Sequence, residues 1–73
     1  MEDALRKILK QTVGEEAAKA ASDEDLRELG LDSIAFIKMV LAIEETFGKE
    51  ISFEHLLLDA MNTIQKILKV VQE

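Results

Sequence analysis

Apolar side chains recur every three or four residues in three separate segments of this chain, a spacing that places them on one face of a helix. No segment shows the alternation of apolar and polar residues that is typical of a strand, and no internal repeat is present. The chain has no proline, so glycines at positions 14, 30 and 48 are its strongest turn signals. These features predict an all-helical bundle, built from three principal helices and one short third helix.

The first helix is predicted from Glu2 to about Val13, where Leu5, Ile8 and Leu9 stand between charged residues. Gly14 is suited to end it. Residues 15–21 are rich in alanine and have good helix propensity but contain no large apolar side chain. This stretch is therefore expected either to extend the helix or to form a solvated turn.

A short turn is predicted between the first two long helices. Ser22, followed three residues later by Asp25, resembles a capping box that opens this turn through Leu29, and Gly30 supplies its end. The turn precedes an Asp-Ser pair and a long apolar run.

The longest predicted helix runs from Asp32 or Ser33 to Phe47 and is closed by Gly48. It carries two apolar stripes side by side, whereas a surface helix of a small bundle needs only one. The stripe assigned to the core comprises Phe36, Met39, Val40, Ile43 and Phe47. The second stripe comprises Ile34, Ile37 and Leu41.

The C-terminal third is predicted to hold one short and one longer helix. Ile51 and Phe53 lie in a connection, and Glu54 to Leu58 is long enough for little more than one helical turn. Asn62, with Gln65 three residues later, is predicted to start the last helix. The buried side of that helix is predicted to comprise Ile64, Ile67, Leu68 and Val71.

Length and charge exclude several classes of function. A chain of 73 residues matches one small domain and leaves no room for a cleft between two domains, which disfavours most enzyme architectures. The net charge of −6 argues against nucleic acid and anionic membranes and favours basic partners. The longest apolar run, Met39 to Ile43, is too short to span a bilayer, and the start lacks the basic region of a secretory signal. We therefore expect a cytoplasmic protein.

Metal and thiol sites are not predicted. The chain contains no cysteine, which removes disulfides and zinc-thiolate sites. The acidic cluster at residues 23–28 lacks the glycine and the ligand spacing of a calcium loop.

Ser33 is the residue best suited to take part in a covalent reaction. Aspartate and serine are preferred helix N-caps, so capping is the simplest role for the Asp32-Ser33 pair. A serine nucleophile needs a base within reach, and nothing in the sequence forces the only histidine, His55, near Ser33. A hydroxyl at a helix start does, however, face unpaired N–H groups that stabilise an attached phosphate. Ser33 is therefore suited to be the substrate of a separate enzyme.

The stretch DLRELGLDSIAFIKMVLAIEETFGKEIS, residues 25–52, resembles the acyl and peptidyl carrier proteins, which bear a 4′-phosphopantetheine arm on serine. The core of the resemblance is Leu-Gly-Leu-Asp-Ser-Ile at residues 29–34. It continues through Glu44, Glu45 and Phe47, the Glu-Ile step at 50–51, and Asn-Thr-Ile at 62–64. Together with the first helix, it covers nearly the whole chain as a single carrier domain, residues 1–73.

The resemblance implies a role for each residue of the motif. Ser33 would receive phosphopantetheine from coenzyme A through a phosphodiester, in a reaction catalysed by a separate Mg²⁺-dependent transferase. Asp32 would help to orient that transferase and its metal. Ile34, Ile37 and Leu41 match positions where partner enzymes dock, although packing under the neighbouring loop or the third helix remains the alternative. The arm would supply the thiol that the chain itself lacks.

The implied protein is a monomeric, non-catalytic carrier that serves a loading ligase and downstream acyl-processing enzymes. Ala35 and Lys38 stand where fatty-acid carriers commonly have acidic residues, and Ser52 stands where many relatives have proline. The departures at Ala35 and Lys38 favour a dedicated acyl or aminoacyl carrier of a polyketide, nonribosomal peptide or specialised ligase pathway. The alternative is an acidic helical interaction module without a prosthetic group, in which Ser33 is a plain N-cap; a small hydrolase ranks third.

Overall fold

The computed structural model describes residues 2–51 and 58–72, and all regular structure within these ranges is helical. The α-helices are α1 (Glu2–Thr12), α2 (Glu15–Ala18), α3 (Ser33–Phe47) and α4 (Ile64–Gln72). Two 3₁₀ turns lie at Leu26–Leu29 and Leu58–Ala60. The predicted all-helical class is confirmed. The short helix predicted at Glu54 to Leu58 lies, except for its last residue, outside the described residues, as do Ser52, Phe53 and His55.

The alanine-rich stretch after α1 forms a separate short helix with buried alanines, so neither an extension of the first helix nor a solvated turn is correct. The N–H of Gly14 donates to the carbonyl of Leu9 at 2.9 Å, and the chain then starts α2. Ala17 and Ala20 are buried, because their short side chains let this segment lie close against α1. The guanidinium of Arg6 donates to the carbonyls of Ala18 and Ala20, both at 2.9 Å, and ties the segment to α1.

Helix α3 has a defined signal at each end. Asp32 is its N-cap, with the carboxylate accepting from the N–H of Ala35 at 2.8 Å. Gly48 is its C-cap with φ 61° and ψ 38°, a left-handed conformation that a residue with a Cβ rarely adopts. Five of its 15 residues are β-branched and lose side-chain freedom in a helix, so burial must contribute most of its stability.

The core is aliphatic and receives side chains from α1, α3 and α4. Its largest fully buried side chains are Leu5, Leu9, Leu26, Met39, Ile43, Met61, Ile64 and Ile67. The predicted core stripe of α3 is confirmed, although Phe47 is only partly buried. On α4, Leu68 is likewise half-buried, while Val70 is buried without having been predicted. None of the helices in the described ranges is long and apolar enough to cross a membrane.

The start of α4 differs from the prediction. The hydroxyl of Thr63, not the side chain of Asn62, accepts from the N–H of Lys66 at 3.1 Å, so Thr63 caps the helix. Asn62 lies one residue earlier and is buried. Its carbonyl accepts from the N–H of Leu26 at 2.7 Å, and its side chain accepts from the ammonium of Lys66 at 3.0 Å. Asn62 therefore joins the start of α4 to the loop that precedes α3.

Candidate functional site

The loop that leads into α3 is held by its own caps. Asp25, rather than Ser22, caps the turn at Leu26–Leu29, because its carboxylate accepts from the N–H of Arg27 at 3.0 Å. The predicted capping box is therefore wrong, and Ser22 instead offers its carbonyl to the N–H of Gln65 at 2.9 Å. Gly30 ends the turn as predicted, with φ 109°, a conformation that favours glycine.

Arg27 links this loop to the second 3₁₀ turn. Its guanidinium donates to Asp25 at 2.9 Å and to Asp59 at 2.6 Å. The hydrogen bond from the Arg27 side chain is the main reason that the pKa of Asp25 is lowered to about 2. The same carboxylate raises the pKa of Arg27 above its ordinary value. Arg27 and Asp59 are exposed and Asp25 is half-buried, so the links fix the path of the loop more than they add to stability.

Ser33 is exposed and is the first residue of α3. Asp32 accepts from Ala35 through its carboxylate and from Phe36 through its carbonyl, at 2.8 Å in both cases. The N–H groups of Ser33 and Ile34 belong to the first turn, which has no intrahelical acceptors. The hydroxyl of Ser33 therefore stands beside unpaired donors at the positive end of a 15-residue helix, while a neighbour does the capping.

The second apolar stripe of α3 lies on the surface. Ile34 is 68% exposed, Ile37 59% and Leu41 60%. No loop among the described residues covers these side chains, and the predicted short third helix, the other alternative for packing, lies almost wholly outside the described residues. Beside the stripe lies a shallow groove of about 290 Å³, lined by Phe36, Ile37, Val40, Leu41 and Glu44. Ser33 and the exposed apolar stripe thus lie on the same helix, and all four side chains are open to solvent.

Glu44 closes the far end of this surface in a way that the sequence did not reveal. Its carboxylate accepts from the N–H of Ile51 at 3.0 Å, seven residues further along the chain. The ammonium of Lys49 donates to the carbonyl of Val71 at 2.6 Å. The first bond ties the chain that leaves α3 back to that helix, and the second ties it to the end of α4.

The described residues hold no group of three or more histidine, aspartate or glutamate side chains placed to bind a metal ion. The acidic residues 23–28 are among those described. His55, considered above as a possible base, lies outside the described residues.

Comparisons with known proteins agree with the motif around Ser33. Residues 3–71 match the family model described as "Phosphopantetheine attachment site". An acyl carrier protein of Coprothermobacter proteolyticus is 32% identical over 69 residues, which cover 93% of this chain and 82% of that protein. An acyl carrier protein of Buchnera aphidicola is 30% identical over 74 residues, covering 100% of this chain and 90% of that protein. The anthracycline acyl carrier protein DauA of a Streptomyces species is 38% identical over 55 residues, which cover 71% of this chain and 66% of that protein.

Proposed function

The chain belongs to the phosphopantetheine-bearing carrier protein family, and on that premise we propose that Ser33 anchors the arm and that the chain presents a bound acyl or aminoacyl group to a series of enzymes. The exposure of Ser33 at the start of α3 is the observation that carries this assignment. Residues 1–73 are proposed to act as one carrier domain.

The surroundings of Ser33 fit a phosphodiester. Its hydroxyl is open to a second protein, and the first-turn N–H groups of Ser33 and Ile34 are placed to face an attached anion. In the proposed loading step the Ser33 oxygen bonds to the phosphorus that carries pantetheine in coenzyme A. The adenosine bisphosphate leaves, and the hydroxyl proton passes to a base on the transferase. When bound, the arm supplies a thiol that holds the cargo as a thioester.

The bundle itself is proposed to take no part in bond making at the cargo. It provides a docking surface that each partner recognises and the attachment point of a tether that raises the local concentration of the bound group. The proposed partners are a phosphopantetheinyl transferase, a loading ligase and downstream acyl-processing enzymes, which the monomeric carrier meets in the cytoplasm. Contacts with them should be small and transient, because tight binding would delay transfer to the next enzyme.

The pathway is proposed to be a specialised one rather than general fatty-acid synthesis. Lys38 is exposed on α3, where the fatty-acid carriers commonly present acidic residues. The similarity to an anthracycline acyl carrier protein also supports a specialised pathway.

The proposal is tested by incubating the purified chain with coenzyme A, Mg²⁺ and a broad-specificity phosphopantetheinyl transferase. Intact mass spectrometry should show a gain equal to one phosphopantetheine, and fragmentation should locate it on Ser33. A chain that remains unmodified would favour the rival function, an acidic helical interaction module.

Asp32 allows the capping role to be separated from the proposed role in loading. Asp32→Ala removes the acceptor for the N–H of Ala35 and should lower the free energy of unfolding by about 1 kcal/mol. Asp32→Asn keeps an oxygen acceptor and should leave stability nearly unchanged. If the carboxylate orients the transferase and its metal, both variants should load more slowly. Loading of Asp32→Asn at the wild-type rate would restrict Asp32 to capping.

Leu41→Glu tests the exposed stripe as a docking surface. Because Leu41 is largely exposed, the change should alter the free energy of unfolding by no more than about 0.5 kcal/mol. Transfer reactions that need docking should slow, as measured by the rate of loading at limiting transferase concentration. Thr46→Glu is the matched control, since Thr46 is exposed on the same helix and the change adds the same charge. Equal rates for the two variants would remove Leu41 from the docking surface.

A further inference from the structure

The outer surface of α3 has a charge pattern as well as an apolar stripe. Between Ser33 and Ile43 the helix contains a single charged residue, Lys38, although the chain as a whole carries a net charge of −6. Lys38 is exposed. Ile34 lies one turn before it and Leu41 one turn after it, so Lys38 lies halfway along the stripe and next to it on the helix surface.

Lys38 has no ion-pair partner among residues 2–51 and 58–72. The nearest acidic residues in sequence lie beyond the two ends of the stripe, at Asp32 and at Glu44 and Glu45. Glu44 is already engaged with the backbone of Ile51. The surface thus carries a cation halfway along the stripe, beside its apolar side chains, and a carboxylate near each end. Glu45 is exposed, and Asp32 is exposed while its carboxylate also accepts from the N–H of Ala35.

We propose, building on the carrier function proposed above, that the enzymes served by this chain receive α3 in an apolar groove that holds a carboxylate opposite Lys38 and basic groups at its two ends. Docking of the stripe in a groove without such an acid would remove water from the ammonium and leave it unpaired, which opposes binding. A partner carboxylate opposite Lys38 replaces the lost water as the partner of the ammonium. Basic groups at the two ends of the partner's groove pair with Asp32 and Glu45. The central acid selects partners, since a basic residue there would face Lys38 directly.

A second copy of this chain fits the surface poorly. A two-fold interface centred on the stripe would bring one Lys38 close to the other, so that like charges meet halfway along the interface. Overall repulsion between two chains of charge −6 acts in the same direction. The pattern therefore favours a different protein as the occupant.

The test uses two synthetic helical peptides, each as long as α3, with a leucine face and lysines at both ends. They differ only at the centre of the leucine face, which carries glutamate in one peptide and lysine in the other. Each is titrated into the isotopically labelled full chain, and binding is followed through the amide signals of Ile34, Ile37 and Leu41. The glutamate peptide should bind at least about threefold more tightly than the lysine peptide. Lys38→Glu should reverse this order.

Lys7→Glu is the control variant, because Lys7 is exposed on α1 and the substitution changes the net charge by the same amount. It should keep the order of the wild type, which separates a local contact from a general charge effect. Equal affinity of the two peptides, shifts located outside α3, or self-association of the free chain in sedimentation would each overturn the proposal. Loading of the same samples by the transferase reports on the carrier function separately. A chain that loads but does not discriminate between the peptides contradicts this inference alone, whereas a chain that does not load contradicts the proposed function.

Discussion

Ser33→Ala is expected to abolish the attachment of phosphopantetheine completely while the helical bundle stays folded. The variant lacks the only oxygen through which the proposed phosphodiester can form at this site. Its stability should change by no more than about 0.5 kcal/mol, because Ser33 is exposed and Asp32 provides the N-cap of α3. Intact mass after incubation with coenzyme A, Mg²⁺ and transferase measures the loading, and circular dichroism with thermal unfolding measures the fold.

Ser22→Ala is the matched control for this experiment, since Ser22 is also an exposed serine and its bond to Gln65 uses the backbone carbonyl. It should load like the wild type. A mass gain in Ser33→Ala would show that the arm is attached elsewhere. Global unfolding of Ser33→Ala would contradict the assignment of Ser33 to an exposed position.

Ile43→Ala is expected to have the largest effect on stability, and Ile37→Ala in the same helix is expected to have almost none. Ile43 is 1% exposed and Ile37 is 59% exposed. Removal of a buried isoleucine side chain to alanine costs about 2–5 kcal/mol, a large share of the stability of a small domain. Alanine favours helix equally at both positions, so propensity cancels in the comparison.

Chemical denaturation measures the free energy of unfolding of both variants. Ile43→Ala should be strongly destabilised or unfolded at room temperature, and Ile37→Ala should lie within about 0.5 kcal/mol of the wild type. If Ile37 belongs to the docking surface, Ile37→Ala should lower the rate of loading at limiting transferase concentration although its stability is nearly that of the wild type. For a given loss of unfolding free energy, Ile37→Ala should therefore slow loading more than Ile43→Ala does. Equal destabilisation by the two changes would mean that both stripes of α3 are buried.

The parts of the fold that depend on local signals were predictable from the sequence. Helix α3 lies where Asp32, the apolar periodicity and Gly48 placed it, because caps and amphipathic spacing act over only a few residues. The same spacing separated Ile34, Ile37 and Leu41 from the core stripe but left open whether they are exposed or packed; the structure shows them exposed.

The parts that depend on distant contacts were not predictable in this way. Arg6 donates to carbonyls 12 and 14 residues away, and Arg27 bonds to Asp59 across 32 residues. Nothing near either arginine in the sequence indicates these partners. The wrong N-caps have a related cause: Ser22 and Asn62 have suitable side chains, but their backbone carbonyls are used in bonds between the loop and α4. Tertiary contacts decided which of two neighbouring polar residues became the cap.

The roles of Asp32, Ile34, Ile37 and Leu41 remain predictions, as does attachment at Ser33 itself. The structure supplies their exposure and their arrangement on one helix. What binds there depends on other proteins, and a single chain encodes only its own half of such an interface.

Because the aspartate next to Ser33 supplies the hydrogen bond that begins α3, the serine oxygen is left with no duty in holding the helix together. If the arm is attached to Ser33 as proposed, its addition and its removal would leave the hydrogen bond that caps α3 unchanged. Repeated charging and discharging would then not require the start of this helix to re-form.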